Sequence, residues 1–185
     1  MLNTPVLLGS VRRGRQSIKV ARFAARRLTE RGNQAQILDL ADYDFPVMEE
    51  RLHVLDDPPP GMKDFSETLR SADAVVVITP EYNGGIPGAL KNTLDYFYGE
   101  WEKKPVGVVS VSAGGFGGVQ AQSQIQLLLL KVKALPVAAM AVSNVGRSFE
   151  DDGTPTEPHY EKGFARFGDT LEWYAQAKAA ARNQP

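Results

Sequence analysis

Gly9-Ser10-Val11-Arg12-Arg13-Gly14-Arg15-Gln16-Ser17 gathers three guanidinium groups, two hydroxyls and one side-chain amide within a single short stretch. It stands between an apolar segment and a helical pattern, where free backbone N–H groups and the helix dipole attract an anion. Arginine binds phosphate oxygens in bidentate fashion. The glycine spacing nearly matches G-x-x-x-x-G-K-[ST], but Arg15 replaces the lysine and Gln16 the magnesium-binding hydroxyl, so nucleoside-triphosphate chemistry loses its two working side chains. G-x-G-x-x-G is also missing, which argues against a dinucleotide pyrophosphate and for a terminal phosphate monoester. The competing reading is that Ser10 or Ser17 merely caps the helix while the arginines are solvated.

A second segment runs from Val75 to Asn92 through Pro80-Glu81-Tyr82-Asn83-Gly84-Gly85. Tyr82 offers a flat face, Asn83 an amide that both donates and accepts, and Glu81 acceptors. Gly84 and Gly85 allow a ligand close to the main chain. That mixture suits a planar heterocycle. The alternative makes Glu81 and Asn83 caps for a helix starting near Pro87. A third elbow, Ser110-Val111-Ser112-Ala113-Gly114-Gly115-Phe116-Gly117-Gly118, offers bare backbone amides around one aromatic ring, or simply a tight turn.

These loops need a scaffold that brings them together. Short apolar or β-branched runs at Pro5–Gly9, Ala35–Leu40, Ala74–Thr79, Val106–Val111 and Val137–Val142 have the continuous character of strands buried on both faces. Helical patterns lie between them at Ser17–Arg31, Met62–Ser71, Gly88–Phe97 and Val119–Lys133, with a last helix over about Tyr160–Arg182. Strict alternation predicts an α/β three-layer sandwich with a five-stranded parallel sheet and helices on both faces. All three polar loops then leave the carboxyl ends of strands, where ligands bind in such sheets. Asp42–Gly61 and Ser143–His159 are longer than turning requires and read as either site-flanking or plain surface loops.

Composition narrows the field. A chain of 185 residues, 43% hydrophobic, suits one domain over residues 1–185. With 21 basic and 22 acidic residues it has no polyanion-binding character, so nucleic acid is not an expected partner. The lack of cysteine removes disulfides, thiolate metal sites and a thiol nucleophile. His53 and His159 lack spaced carboxylates and are assigned no metal. No leader or membrane-length apolar segment is visible, so a soluble, cytoplasmic protein is expected.

A phosphate loop on one strand and ring-binding loops on two others describe a flavin mononucleotide (FMN) site in a flavodoxin-like sheet. The set Gly9-Ser10-x-Arg12, Pro80-Glu81-Tyr82-Asn83-Gly84-Gly85-Ile86-Pro87-Gly88-Ala89-Leu90-Lys91-Asn92-x-Leu94-Asp95 and Ser112-x-Gly114-Gly115-x-Gly117-Gly118 resembles the NADPH-dependent FMN reductase family, which includes quinone, azo-dye and chromate reductases. The likeness covers Leu7 to Leu130, and the middle motif is highly specific.

The resemblance implies a flavodoxin-like strand order 2-1-3-4-5. It assigns phosphate binding to Ser10, Arg12, Arg15, Gln16 and Ser17, and flavin contacts to Pro80, Glu81, Tyr82, Asn83 and Gly84. Ser112, Gly114 and Gly115 fall at the ring's other edge. It implies an oxidoreductase in which FMN carries hydride from NADPH or NADH to a flavin, quinone, azo compound or similar small acceptor, so no catalytic side chain is required. Tyr82 and Asn83 are expected to position the ring. A noncatalytic FMN carrier or redox sensor is the alternative. Tyr96-Phe97-Tyr98, Trp101 and Leu127-Leu128-Leu129-Leu130 exceed one core-facing stripe, and the family likeness implies a homodimer or dimer of dimers with the flavin at the subunit cleft.

Overall fold

The computed structural model describes residues 1–182. Its strands are β1 (Val6–Leu8), β2 (Ile37–Asp39), β3 (Val75–Pro80), β4 (Pro105–Val111) and β5 (Leu135–Val142). Its helices are α1 (Ser17–Glu30), α2 (Met62–Ser71), α3 (Gly88–Tyr96), α4 (Val119–Lys131), α5 (Val145–Ser148) and α6 (Pro158–Arg182). The strands form one all-parallel sheet in the order β2-β1-β3-β4-β5. This is the expected fold class and strand order.

The β-branched runs alternate their side chains between two cores. Val76 and Ile78 face α1 and α6, meeting Val20, Phe23, Ala24 and Leu28, which recur at helical spacing, together with Phe164, Phe167 and Leu171. Val75 and Val77 face the other way, toward Phe65 and Leu69 of α2, Leu90 and Leu94 of α3, and Ile125 and Leu129 of α4. Each fully buried side chain of this size contributes about 1.5–3 kcal/mol of transfer free energy. Both faces of the central strands are therefore dry, as continuous apolar strands demand.

β5 departs from the expectation. It starts at Leu135, ahead of the predicted Val137, and a register shift opposite Val106/Gly107 interrupts its pairing with β4. As the outer strand it is not buried on both faces, since Ala139 and Ala141 are exposed. The aromatic run also differs, because Tyr96, Phe97 and Trp101 are all core residues. Only Leu127 (69% exposed) and Leu130 (57%) of the leucine run face outward.

The two long connections are packed. In the first, Asn92 of α3 accepts from Met48 N–H (2.8 Å) and donates to the Pro46 carbonyl (2.7 Å), while Tyr96 Oη donates to the same carbonyl (3.1 Å). The second holds α5 and then a narrow turn, closed by the Phe149–Pro155 bridge, that lies along α1. There Gly153, at φ +87°, leaves so little room that a Cβ would stand 2.5 Å from the Lys19 carbonyl oxygen. Lys19 donates to the Phe149 carbonyl (3.2 Å) and pairs with Asp151 (2.9 Å), which holds the Asp151 carboxyl below the ordinary range.

Candidate functional site

The register brings the ends of β1, β3 and β4 to within two residues of one another. Leu8 pairs with Ile78, and Pro80 with Val111. Each ladder continues one hydrogen bond past its strand: Gly9 N–H to Ile78 (2.9 Å), Glu81 N–H to Val111 (3.1 Å) and Ser112 N–H to Val142 (2.9 Å). The three polar loops consequently depart side by side from one edge of the sheet. Gly9 has no space for a side chain, because a Cβ there would meet Leu90 at 2.7 Å.

Between the loops lies a cavity of about 320 Å³, lined by Arg12, Gly14, Arg15, Gln16 and Ser17, by Pro80, Glu81 and Tyr82, and by Val111, Ser112, Ala113 and Val145. It joins residues from all three predicted loops. A second cavity, about 400 Å³, lies beyond Val11 against Asp42–Phe45 and α3. Chemistry separates them: the first contains a buried hydroxyl, Ser17 Oγ, without a hydrogen-bond partner. A buried polar group left unpaired is costly and marks where a partner is to be supplied.

Ser17 opens α1, and the position before it, Gln16, makes no side-chain cap. The capping reading of Ser17 therefore fails, and its hydroxyl is free to meet an anion at a helix N-terminus. Ser10 is fully buried and accepts from Arg12 N–H (3.3 Å), while its oxygen lies 2.7 Å from Tyr82 Oη. Arg12 and Arg13 are exposed. Arg15 is paired with Asp39 at the end of β2 and its Nε is buried without a partner. The Gln16 side chain donates to the Gly14 carbonyl (3.3 Å).

Tyr82 and Gly85 exchange backbone hydrogen bonds (2.9 and 3.1 Å) around Asn83 and Gly84, both at positive φ (52° and 79°). Two such residues make a type I′ turn, for which Asn-Gly is the preferred pair. The dipeptide carried this signal in the sequence, and it gives Asn83 a backbone reason to be there. Glu81 does cap a helix, but the helix is α4: its Oε2 accepts from Gln120 N–H (3.0 Å) and Ala121 N–H (3.3 Å). The alternative reading, a cap on α3, is not what Glu81 makes: α4 has only Gly118 at its N-cap and takes its acceptor from Glu81. Gln124 Oε1 accepts from Ile86 N–H (2.7 Å), bracing the turn from the same helix.

In the third loop Gly114 and Gly115 have open space where a Cβ would stand, so bare backbone is presented there. Ser112 Oγ donates to the Gly114 carbonyl (2.8 Å), which also accepts from Asn144 N–H (2.8 Å). Val145 N–H donates to the Ser112 carbonyl (3.1 Å). The connection before α6 thus supports this loop and adds Val145 to the cavity, a part that no motif announced.

A cavity with an anion-ready end and an aromatic wall suits a phosphate-bearing planar cofactor. Comparison with known proteins decides which kind. Residues 3–146 match the family described as NADPH-dependent FMN reductase. The chain belongs to that family. It is 34% identical over 155 residues to a quinone reductase of Pseudomonas putida, covering 80% of this chain and 81% of that one. To an NAD(P)H-dependent FMN reductase of a Nectria species it is 34% identical over 152 residues, covering 76% and 75%. Among solved structures it is similar to FerB, a flavoenzyme NAD(P)H:(acceptor) oxidoreductase of Paracoccus denitrificans, with TM-score 0.76, 26% identity and coverage of 94% and 99%. A Pseudomonas aeruginosa flavodoxin, at 20% identity and TM-score 0.59, shares the fold, with coverage of 92% and 99%.

This family member is an oxidoreductase that uses FMN and NAD(P)H. The donor set fits FMN at its phosphate end through Ser17 Oγ and the N-terminal amides of α1. FMN bound there would supply the hydride-transfer chemistry between a nicotinamide donor and an acceptor. Neither a group of metal-ligating side chains nor a helix long and apolar enough to cross a membrane occurs among the described residues.

Proposed function

We propose that this protein oxidises NAD(P)H and reduces a small planar acceptor, with quinones first among them, on one FMN held between the three loops. The observation that carries the reading is the unpartnered Ser17 hydroxyl at the α1 end of a cavity whose other walls are Tyr82 and the Ser112 loop. Arg12, Ser17 and the α1 amides hold the phosphate, Pro80, Glu81, Tyr82, Asn83 and Gly84 flank the ring, and Ser112, Gly114 and Gly115 meet its far edge. Arg15 and Gln16 act on the loop around the phosphate. Relatives named quinone reductase favour a quinone. Dependence on a nicotinamide donor favours a cytoplasmic setting.

Steady NAD(P)H consumption with a quinone is the test. A carrier would show one stoichiometric reduction and then stop, and that result would contradict the reading. A homodimer is part of the same proposal: Leu127 and Leu130, one helical turn apart, leave an apolar strip on α4 for a second copy. Sedimentation should give twice the chain mass, and Leu127→Ser with Leu130→Ser should give the monomer.

A further inference from the structure

Resting on the FMN reading above, we infer that Glu81 sets how tightly the site holds reduced relative to oxidised FMN, by occupying the positive end of α4. Helix α4 begins directly after the third loop, and two amides of its first turn are bonded to Glu81, a residue that lines the cavity. A free helix N-terminus carries about half a positive charge, which stabilises an anion nearby. Reduction adds negative charge to a flavin ring, so an open α4 terminus would favour the reduced cofactor. The Glu81 carboxylate both lines the cavity and holds that terminus. Its Oε2 accepts from both Gln120 and Ala121 N–H (3.0 and 3.3 Å), so these two amides already have an acceptor.

Glu81 is also the only carboxylate among the residues lining this cavity, the charged others being Arg12 and Arg15. Those arginines lie at the phosphate end, and Arg15 is paired with Asp39. At the ring end, then, the negative Glu81 opposes accumulation of charge on reduction. The consequence is a cofactor that gives its electrons up readily, as turnover requires, whereas a carrier that stores them would gain from the opposite arrangement. Glu81 acts through field and through α4, so it is a positioning residue rather than a catalytic one.

The test is the redox equilibrium of bound FMN, titrated against a reference dye, in the wild type, Glu81→Gln and Glu81→Asp. Glutamine keeps an oxygen for the α4 amides and removes the charge. It should raise the affinity for reduced over oxidised FMN about tenfold, equivalent to about +30 mV for a two-electron couple. Aspartate keeps the charge and should stay within about twofold of the wild type. An unchanged ratio in Glu81→Gln, with only a lower melting temperature, would reduce Glu81 to a helix cap and overturn the inference. A tenfold rise in Glu81→Asp would overturn it too, including where the glutamine variant fails to fold. Wild-type protein that binds no FMN would instead overturn the cofactor reading on which the inference stands.

Discussion

The hydroxyl oxygens of Ser10 and Tyr82 lie 2.7 Å apart across 72 residues of sequence, joining the phosphate loop to the ring loop. The same Ser10 oxygen accepts from Arg12 N–H, so one buried hydroxyl fixes both the phosphate-loop backbone and the Tyr82 ring. Ser10→Ala and Tyr82→Phe should each weaken FMN binding about 3–10-fold, from the loss of one hydrogen bond of about 1 kcal/mol. Because both remove the same bridge, the double variant should be little worse than either single one. Fully additive losses in a titration of FMN fluorescence would show that the two act separately.

Arg12 and Arg15 are close in sequence and differ in what they touch. Arg12 is exposed at the cavity, while Arg15 is held by Asp39. Arg12→Ala should cost about 10–100-fold in FMN affinity, the range for a lost charge-assisted hydrogen bond. Arg15→Ala should cost less than about fivefold in affinity. Equal losses would contradict this division of labour.

The turn before α6 is fastened to α1 at Gly153. Its positive φ and the 2.5 and 2.8 Å approaches to Lys19 and Phe23 backbone atoms leave no tolerance for a methyl group. Gly153→Ala should lower stability by roughly 2–4 kcal/mol by strain and overpacking, read as a lower denaturant midpoint. An unchanged midpoint would mean that the turn does not dock.

Glu172 of α6 takes both Arg31 Nε (2.8 Å) and Arg31 Nη2 (2.7 Å), and Asn33 Nδ2 (2.7 Å) as well. The hydrogen bonds from Arg31 hold its carboxyl below the ordinary 4.5. A depressed folded value means that the unfolded chain binds the proton more tightly. The contribution is therefore complete above pH 4.5 and fades as pH falls below it. Glu172→Gln should cost about 1–2 kcal/mol near neutrality, and the gap from wild type should narrow in acid. A gap that persists in acid would assign the loss to packing.

Much of the fold could be read from the sequence. Helix α2 runs from Met62 to Ser71 as its spacing predicts, and the runs at β3 and β4 are buried on both faces as their composition requires. The strand order came with the family resemblance rather than from the residues. β5 was harder, because Pro136 and the bulge beside it disguise the first residues of an outer strand. At the site, residue types pointed to the three loops, but partners distant in sequence did not show. Glu81 is drawn to α4 rather than the helix that follows it, and Val145 enters the cavity because the last connection docks on Gly114 and Ser112. Tyr96-Phe97 and Trp101 read from the sequence as available for a partner, yet Pro46 and Phe45 of the first long connection pack on Tyr96 and Phe97, and Trp101 is buried in the core.

Adding the purified protein to FMN while following flavin fluorescence reads the occupancy of the three-loop site itself. Saturable quenching at one FMN per chain, or a yellow protein as isolated, is expected, with saturation shifted to about 10–100-fold higher FMN in Arg12→Ala. A colourless protein that leaves FMN fluorescence unchanged at every concentration would contradict the FMN reading.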